Sequence, residues 1–203
     1  MIAIVDYGMG NLTSIANMLH YIGATATITG DPKLIKDASK IILPGVGHFK
    51  RGMENLHESG LTDILNETVS LDKKPTLGIC LGAQLMTMHS EEGDVDGLKW
   101  INANTVAFNK ERMNGLKVPH MGWAEVDFID KSPLWEGLPG ESRFYHVHSY
   151  HFEVNEEQFV SATAVYGYEF VCAFRKDNIF GVQFHPEKSH KYGMNLLKNF
   201  STL

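Results

Sequence analysis

Only two cysteines, Cys80 and Cys172, occur in 203 residues. That is too few for the disulfide framework of a small secreted domain, and it suits a reducing compartment such as the cytosol. No apolar stretch approaches the roughly 18–20 residues of a membrane span. The start, Met1-Ile-Ala-Ile-Val-Asp6, lacks a basic n-region and reads as a strand, so no secretory signal is expected. Basic runs are missing too. With 18 Lys+Arg against 24 Asp+Glu the net charge is −6, which argues against a nucleic-acid partner. Repeats, low-complexity segments and linkers are absent, so one domain over 1–203 is expected, large enough for a substantial core. A hydrophobic content of 43% excludes a disordered chain.

What is present is an alternation of apolar strands and amphipathic helices. Residues 1–6 read as a strand. Leu12, Ile15, Ala16, Leu19 and Ile22 then recur at helical spacing up to a stop at Gly23. Further strands are expected near 24–29, 40–43 and 75–79, and helices near 49–57, 61–70 and 81–89, the last supported by Met86 and Met88. The second half is richer in β-branched and aromatic residues. Strands are expected there at 104–108, 123–129, 143–150, 160–165, 169–175 and 178–184, some of them antiparallel. A closing helix over 190–200 buries Leu196, Leu197 and Phe200. The expected class is α/β: a mostly parallel central sheet flanked by helices, with antiparallel β additions.

The chemistry concentrates at residues 75–86. An apolar run ends in Gly78-Ile79-Cys80-Leu81-Gly82 and passes into a helical pattern. This is a G-x-C-x-G version of the nucleophile elbow, in which flanking glycines relieve crowding around a strained residue. A helix N-terminus behind Cys80 favours a thiolate. About 100 residues later an apolar strand runs into His185, and Glu187 follows. A cysteine nucleophile needs a base, and the base needs a third group to orient its ring. Cys80, His185 and Glu187 fill these roles if the two strand ends lie side by side. Acyl transfer also needs N–H donors aimed at an oxyanion. The N–H of Val46, in the Gly45-Val46-Gly47 turn, and that of Leu81 are candidates. Taken singly, these features have bland readings: an inert core cysteine, a structural histidine, a solvated acid, a simple loop. Their combination favours the catalytic one.

Gly78-Ile-Cys-Leu-Gly82, Pro44-Gly-Val-Gly47 and His185-Pro-Glu187 together resemble the signature of class I, triad-type glutamine amidotransferases. Within that family, four segments resemble the glutaminase subunits of imidazole glycerol phosphate synthases. They are Asp6-Tyr-Gly-Met-Gly-Asn11, Pro119-His-Met-Gly-Trp123, Val147-His-Ser-Tyr150 and Gly181-Val-Gln-Phe-His-Pro-Glu-Lys-Ser189. The match runs in order from residue 1 to the last helix near Phe200. The resemblance implies a class I amidotransferase fold and hydrolysis of glutamine to glutamate and ammonia through a γ-glutamyl thioester. It implies no cofactor and no metal. It places Gly45, Gly47 and Gln84 at the glutamine pocket, with backbone of His148, Ser149 and Tyr150 lining it. It also implies a heterodimer with a (βα)₈-barrel synthase subunit, which receives the ammonia directly for histidine biosynthesis. Asn11, Met121, Trp123, Tyr145 and Lys188 match positions that face that partner.

There are departures. Ala83 stands where the family commonly has Met. Arg143–His151 and Lys188–Met194 resemble a branch of paralogues associated with surface-polysaccharide synthesis, in which the ammonia would amidinate a sugar. A catalytically silent interaction subunit and a cysteine hydrolase of another amide are the readings of a different class. The intact triad opposes the first, and Gln84 with Pro44-Gly-Val-Gly47 opposes the second. Two motifs mislead. Gly8-Met9-Gly10 after the first strand suggests a dinucleotide loop, but Thr13 occupies the third glycine position. His146, His148 and His151 form H-x-H-x-x-H, in which the first two share a strand face, yet no acid or cysteine is suitably spaced beside them.

Overall fold

A computed structural model describes residues 1–203. The chain opens with β1 (Ile2–Val5), α1 (Leu12–Tyr21), β2 (Ala26–Thr29), α2 (Pro32–Asp37), β3 (Lys40–Gly45), α3 (Phe49–Glu58), α4 (Leu61–Asn66), β4 (Thr76–Cys80) and α5 (Leu81–Leu85). A predominantly β half follows: β5 (His89–Ser90), β6 (Val95–Asp96), β7 (Ala103–Ala107), β8 (His120–Phe128), β9 (Arg143–His148), β10 (Tyr150–Val154), β11 (Val160–Tyr166), β12 (Tyr168–Lys176) and β13 (Ile179–Val182), closed by α6 (His190–Thr202). The expected α/β class holds. Strands β2-β1-β3-β4-β13 lie side by side, and every pair among them is parallel. Beyond β13 the order continues through β12, β10 and β7, and these pairings are antiparallel.

The sheet is buried on both faces, which is why its strands read as unbroken apolar runs. In β1 the period of two is visible in the packing. Ile2 and Ile4 join one core cluster, with Ile15 and Leu19 of α1 and Leu196, Leu197 and Phe200 of α6. Ala3 and Val5 join the other, with Ile35 of α2, Phe49 and Leu56 of α3, Leu61 of α4 and Leu85 of α5. At about 25 cal/mol per Å² of apolar surface, these two layers dominate the stability of the domain.

Several elements differ from expectation, among them the short strands β5 and β6, which were not expected. α2 was not foreseen, although Asp31-Pro32 signals it: the Asp31 carboxylate accepts from the Lys33 N–H at 2.8 Å, and proline opens the helix. The helix after the elbow ends at Leu85, not near 89. Residues 97–101 fold back and their amides take the Leu85, Met86, Thr87 and Met88 carbonyls, so the helical ladder cannot continue. Met86 is buried, but Met88 lies in this turn, 36% exposed. Finally, the expected strand 143–150 is two strands that break at Ser149. β9 pairs with β8, whereas β10 pairs with β7 and β12, so the chain changes neighbours there.

Candidate active site

Parallel register places Gly45 opposite Cys80, and Val182 opposite Ile79 on the other side. The ends of β4 and β13 are therefore neighbours, as the triad requires. Cys80 sits at φ 52°, ψ −114°, a left-handed conformation rare outside glycine. Such strain persists only where the surroundings over-determine it. The flanking glycines are part of that constraint. A Cβ on Gly78 would press into the Ala83 backbone, and one on Gly82 would overlap the Leu43 carbonyl. Backbone cannot yield as a side chain can, so Gly82→Ala is expected to destabilise the domain by about 3 kcal/mol, a fall in Tm of roughly 6–12 °C. Gly140, where an added Cβ meets nothing, is the control. Equal melting temperatures for the two variants would refute this account of the elbow.

His185 follows the end of β13, and its backbone N–H donates to the Tyr145 carbonyl at 2.9 Å. Its Nδ1 lies 2.8 Å from Glu187 Oε1, with both side chains 1% exposed. A carboxylate can only accept, so Nδ1 carries the proton, which leaves Nε2 as the nitrogen that can act as base. Burial works against the imidazolium, but the charge of Cys80 and the hydrogen bond and charge of Glu187 outweigh it and raise the His185 pKa to about 10. Nε2 has no protein hydrogen-bond partner. Ser189 pins the turn: its hydroxyl donates to the His185 carbonyl at 2.6 Å and accepts from the Tyr145 N–H at 2.9 Å.

Above Cys80 opens a cleft of about 440 Å³, of a size for an amino acid with its solvent. Val46, Gly47, Leu81, Gln84, His148, Ser149, Tyr150 and His185 line it. Gly45, expected at the pocket, is not among the residues lining the cleft; a side chain there would collide with the Tyr7 hydroxyl and the Gly82 N–H. Gly47 is at φ 110°, a value that glycine tolerates. Asn11 and Lys188, expected at a partner face, also line the rim of this cleft. Met121 and Trp123 line a second cleft beside it, and Tyr145 meets Trp123 at 6.1 Å between ring centroids. α5 is too short for a strong dipole, so its contribution near Cys80 is limited to first-turn N–H groups.

The sequence reading missed two residues here. Glu92 is the one carboxylate lining the cleft, and its Oε2 accepts from the Phe49 N–H at 2.7 Å. Nothing local marks it among neighbouring acids. Gln183 is fully buried, with its amide nitrogen 3.7 Å from Cys80 Sγ.

The histidines also regroup. His146 and His148 meet a third, His120 of β8, and one ring nitrogen from each lies within 4.8 Å of the others. The three rings are also packed against one another and against Tyr166. His120 stacks on His146 at 4.7 Å and 15°, and on Tyr166 at 3.9 Å and 12°. Two of the rings are joined in a hydrogen-bonded chain. The Tyr150 carbonyl accepts from His148 Nδ1 at 2.7 Å, which leaves His148 Nε2 to accept from His146 Nδ1 at 3.0 Å. His151 lies apart from these three, with Nε2 accepting from the Tyr168 hydroxyl at 2.9 Å.

A strained cysteine beside a buried histidine–carboxylate pair, at parallel strand ends, defines a triad hydrolase of the amidotransferase kind. The family model for glutamine amidotransferase class-I matches residues 3–202, and the chain belongs to this family. Its relatives are more particular. Imidazole glycerol phosphate synthase subunit HisH 2 of Methanococcus maripaludis is 56% identical over 200 residues, covering 98% of each chain. The subunit of the same name from Pseudomonas aeruginosa is 47% identical over 203 residues, the whole of both chains. A crystal structure of a glutamine amidotransferase superposes over the full length of both chains with a TM-score of 0.77 at 16% identity, a likeness of fold.

Proposed function

We propose that this chain is the glutaminase subunit of an imidazole glycerol phosphate synthase and supplies ammonia for histidine biosynthesis. The observation that carries the chemistry is the buried His185–Glu187 pair beside Cys80, at the floor of an amino-acid-sized cleft. The Cys80 thiolate attacks the carboxamide carbon of glutamine. N–H groups of Val46 and Leu81 receive the developing oxyanion. The His185 imidazolium protonates the departing nitrogen, and ammonia leaves a γ-glutamyl thioester. Neutral His185 then takes a proton from water, which attacks the thioester and releases glutamate while the proton returns to sulfur. Glu187 keeps the ring in its working tautomer. Glu92 pairs with the α-ammonium of the substrate. No step calls for a cofactor. The family and the full-length relatives support this reading; the sugar-amidinating and silent alternatives draw no support from the relatives' names.

Ammonia in water becomes ammonium and loses its nucleophilicity, so the complex is a heterodimer with a (βα)₈-barrel subunit that takes ammonia directly and completes the lyase reaction. The docking face lies beside the cleft. Met121 is 62% and Trp123 44% exposed, Trp123 stacks on His190 at 5.4 Å, and Lys188 Nζ stands 5.8 Å from the Tyr145 ring centre. No helix is long and apolar enough to cross a membrane, and both cysteines are free; a cytoplasmic location accords with this. Lys188→Ala in the complex is expected to lower glutamine-dependent product formation about tenfold, while turnover with added ammonium salt stays near normal. An equal loss with both nitrogen sources would remove Lys188 from docking and transfer.

A further inference from the structure

The short α5 leaves Gln183, which directly follows β13, as the side-chain hydrogen-bond donor to the Cys80 sulfur. The orientation of its amide is fixed by a chain of acceptors that starts at backbone. The Tyr150 carbonyl can only accept, so the group of Gln84 that faces it at 3.5 Å is the NH₂. That same NH₂ lies 3.0 Å from the Gln183 amide, which must therefore present its oxygen to Gln84. The Gln183 NH₂ is left to face Sγ at 3.7 Å. The main chain of Gln183 is equally constrained, since its N–H donates to the Cys172 carbonyl at 2.8 Å. Gln183 is fully buried and Gln84 4% exposed, so neither amide can turn to water for relief.

We propose that Gln183 is a positioning residue for the nucleophile: its amide holds the Cys80 sulfur beside His185 and stabilises it as the thiolate. The inference rests on the reading of Cys80 as the nucleophile. A thiolate accepts an N–H bond more strongly than a thiol, so the contact lowers the energy of the ionised form. The thiolate is the attacking form, so a donor that favours it over the thiol favours attack. The same amide also anchors Gln84 at the cleft wall through its oxygen. Glutamine is the side chain that does both, giving hydrogen toward sulfur and accepting it from Gln84.

Two substitutions separate these roles. Gln183→Glu keeps an oxygen for Gln84 and replaces the donor to sulfur with a group that opposes its ionisation. Gln183→Met removes both contacts at similar volume. The measurements are the rate of Cys80 alkylation by iodoacetamide against pH, read by mass on the Cys80 peptide, and kcat and KM for glutamine in the complex. Thermal melting confirms folding. For Gln183→Glu, the alkylation midpoint is expected to rise by about one pH unit or more and kcat to fall about tenfold, with KM within about twofold. Gln183→Met shifts the midpoint in the same direction and raises KM as well. A wild-type pH profile and kcat in Gln183→Glu, with loss confined to Gln183→Met, would mean that the residue only scaffolds Gln84, and the proposal falls. If Gln183→Glu does not fold, an unshifted profile in Gln183→Met overturns it. These failures leave the glutaminase reading standing. A wild-type Cys80 that resists alkylation and a chain that releases no glutamate would end both.

Discussion

Cys80→Ala is expected to abolish glutamate release in the complex while leaving the fold intact. The side chain is small and faces an open cleft, so its loss creates no closed cavity, and alanine occupies the left-handed elbow about as well as cysteine does. The relay behind it is graded. His185→Asn removes the base of the triad and is expected to lower glutamine turnover roughly 10⁶-fold. Glu187→Gln retains volume and an oxygen for the Nδ1–H at the observed 2.8 Å, and is expected to be roughly a hundredfold less severe. The check is glutamine-dependent glutamate production alongside circular dichroism of each variant. Residual turnover in Cys80→Ala would move the nucleophile elsewhere. A Glu187→Gln variant worse than His185→Asn would reverse the roles of base and orienter.

A steep loss of stability on mild acidification is the second large effect. Burial lowers the pKa of His120 to about 4 and depresses those of His146, His148 and His151; like-charge neighbours add to this for His146 and His148. A histidine whose pKa is lower folded than unfolded binds its proton more readily in the unfolded chain. Its contribution is therefore complete above the unfolded value near 6.5 and is lost as pH falls toward the folded value. Each fully buried ring contributes a slope of up to about 1.4 kcal/mol per pH unit across that window. His185 acts in the opposite sense. Its pKa is raised to about 10, so its contribution is complete below 6.5 and fades as pH rises through about 10. Denaturant midpoints are expected to peak near neutrality and fall most sharply between pH 6 and 4.5. His146→Phe, which removes one of these rings, should flatten the acid limb. An equal acid slope in that variant would show that His146 titrates normally in the folded chain.

Cys80, His185 and Glu187 were legible in the chain because each carries a local mark: glycines around a nucleophile, a strand running into a histidine, an acid two residues on. The parallel half of the sheet was legible for a similar reason. Helices alternate with apolar runs there, and a strand buried on both faces needs no partner-specific pattern to be recognised. The antiparallel half was less so. Ser149 looks like any residue of a continuous strand, and only the separate pairing of β9 with β8 and of β10 with β7 breaks the chain there. Likewise nothing within 81–89 announces that residues 97–101 return to take the last carbonyls of α5.

By itself, then, the sequence determined the class of fold and the family and singled out Cys80, His185 and Glu187 as the candidate triad, since these depend on residue types at short spacings. The tertiary structure alone decided what depends on long-range meetings. It set Glu92 as the single carboxylate of the cleft and brought His120 onto His146 in a stack. It also aimed the Gln183 amide at sulfur, because the orientation of that amide starts from the Tyr150 carbonyl, which reaches it only through the packing of β10 against the elbow.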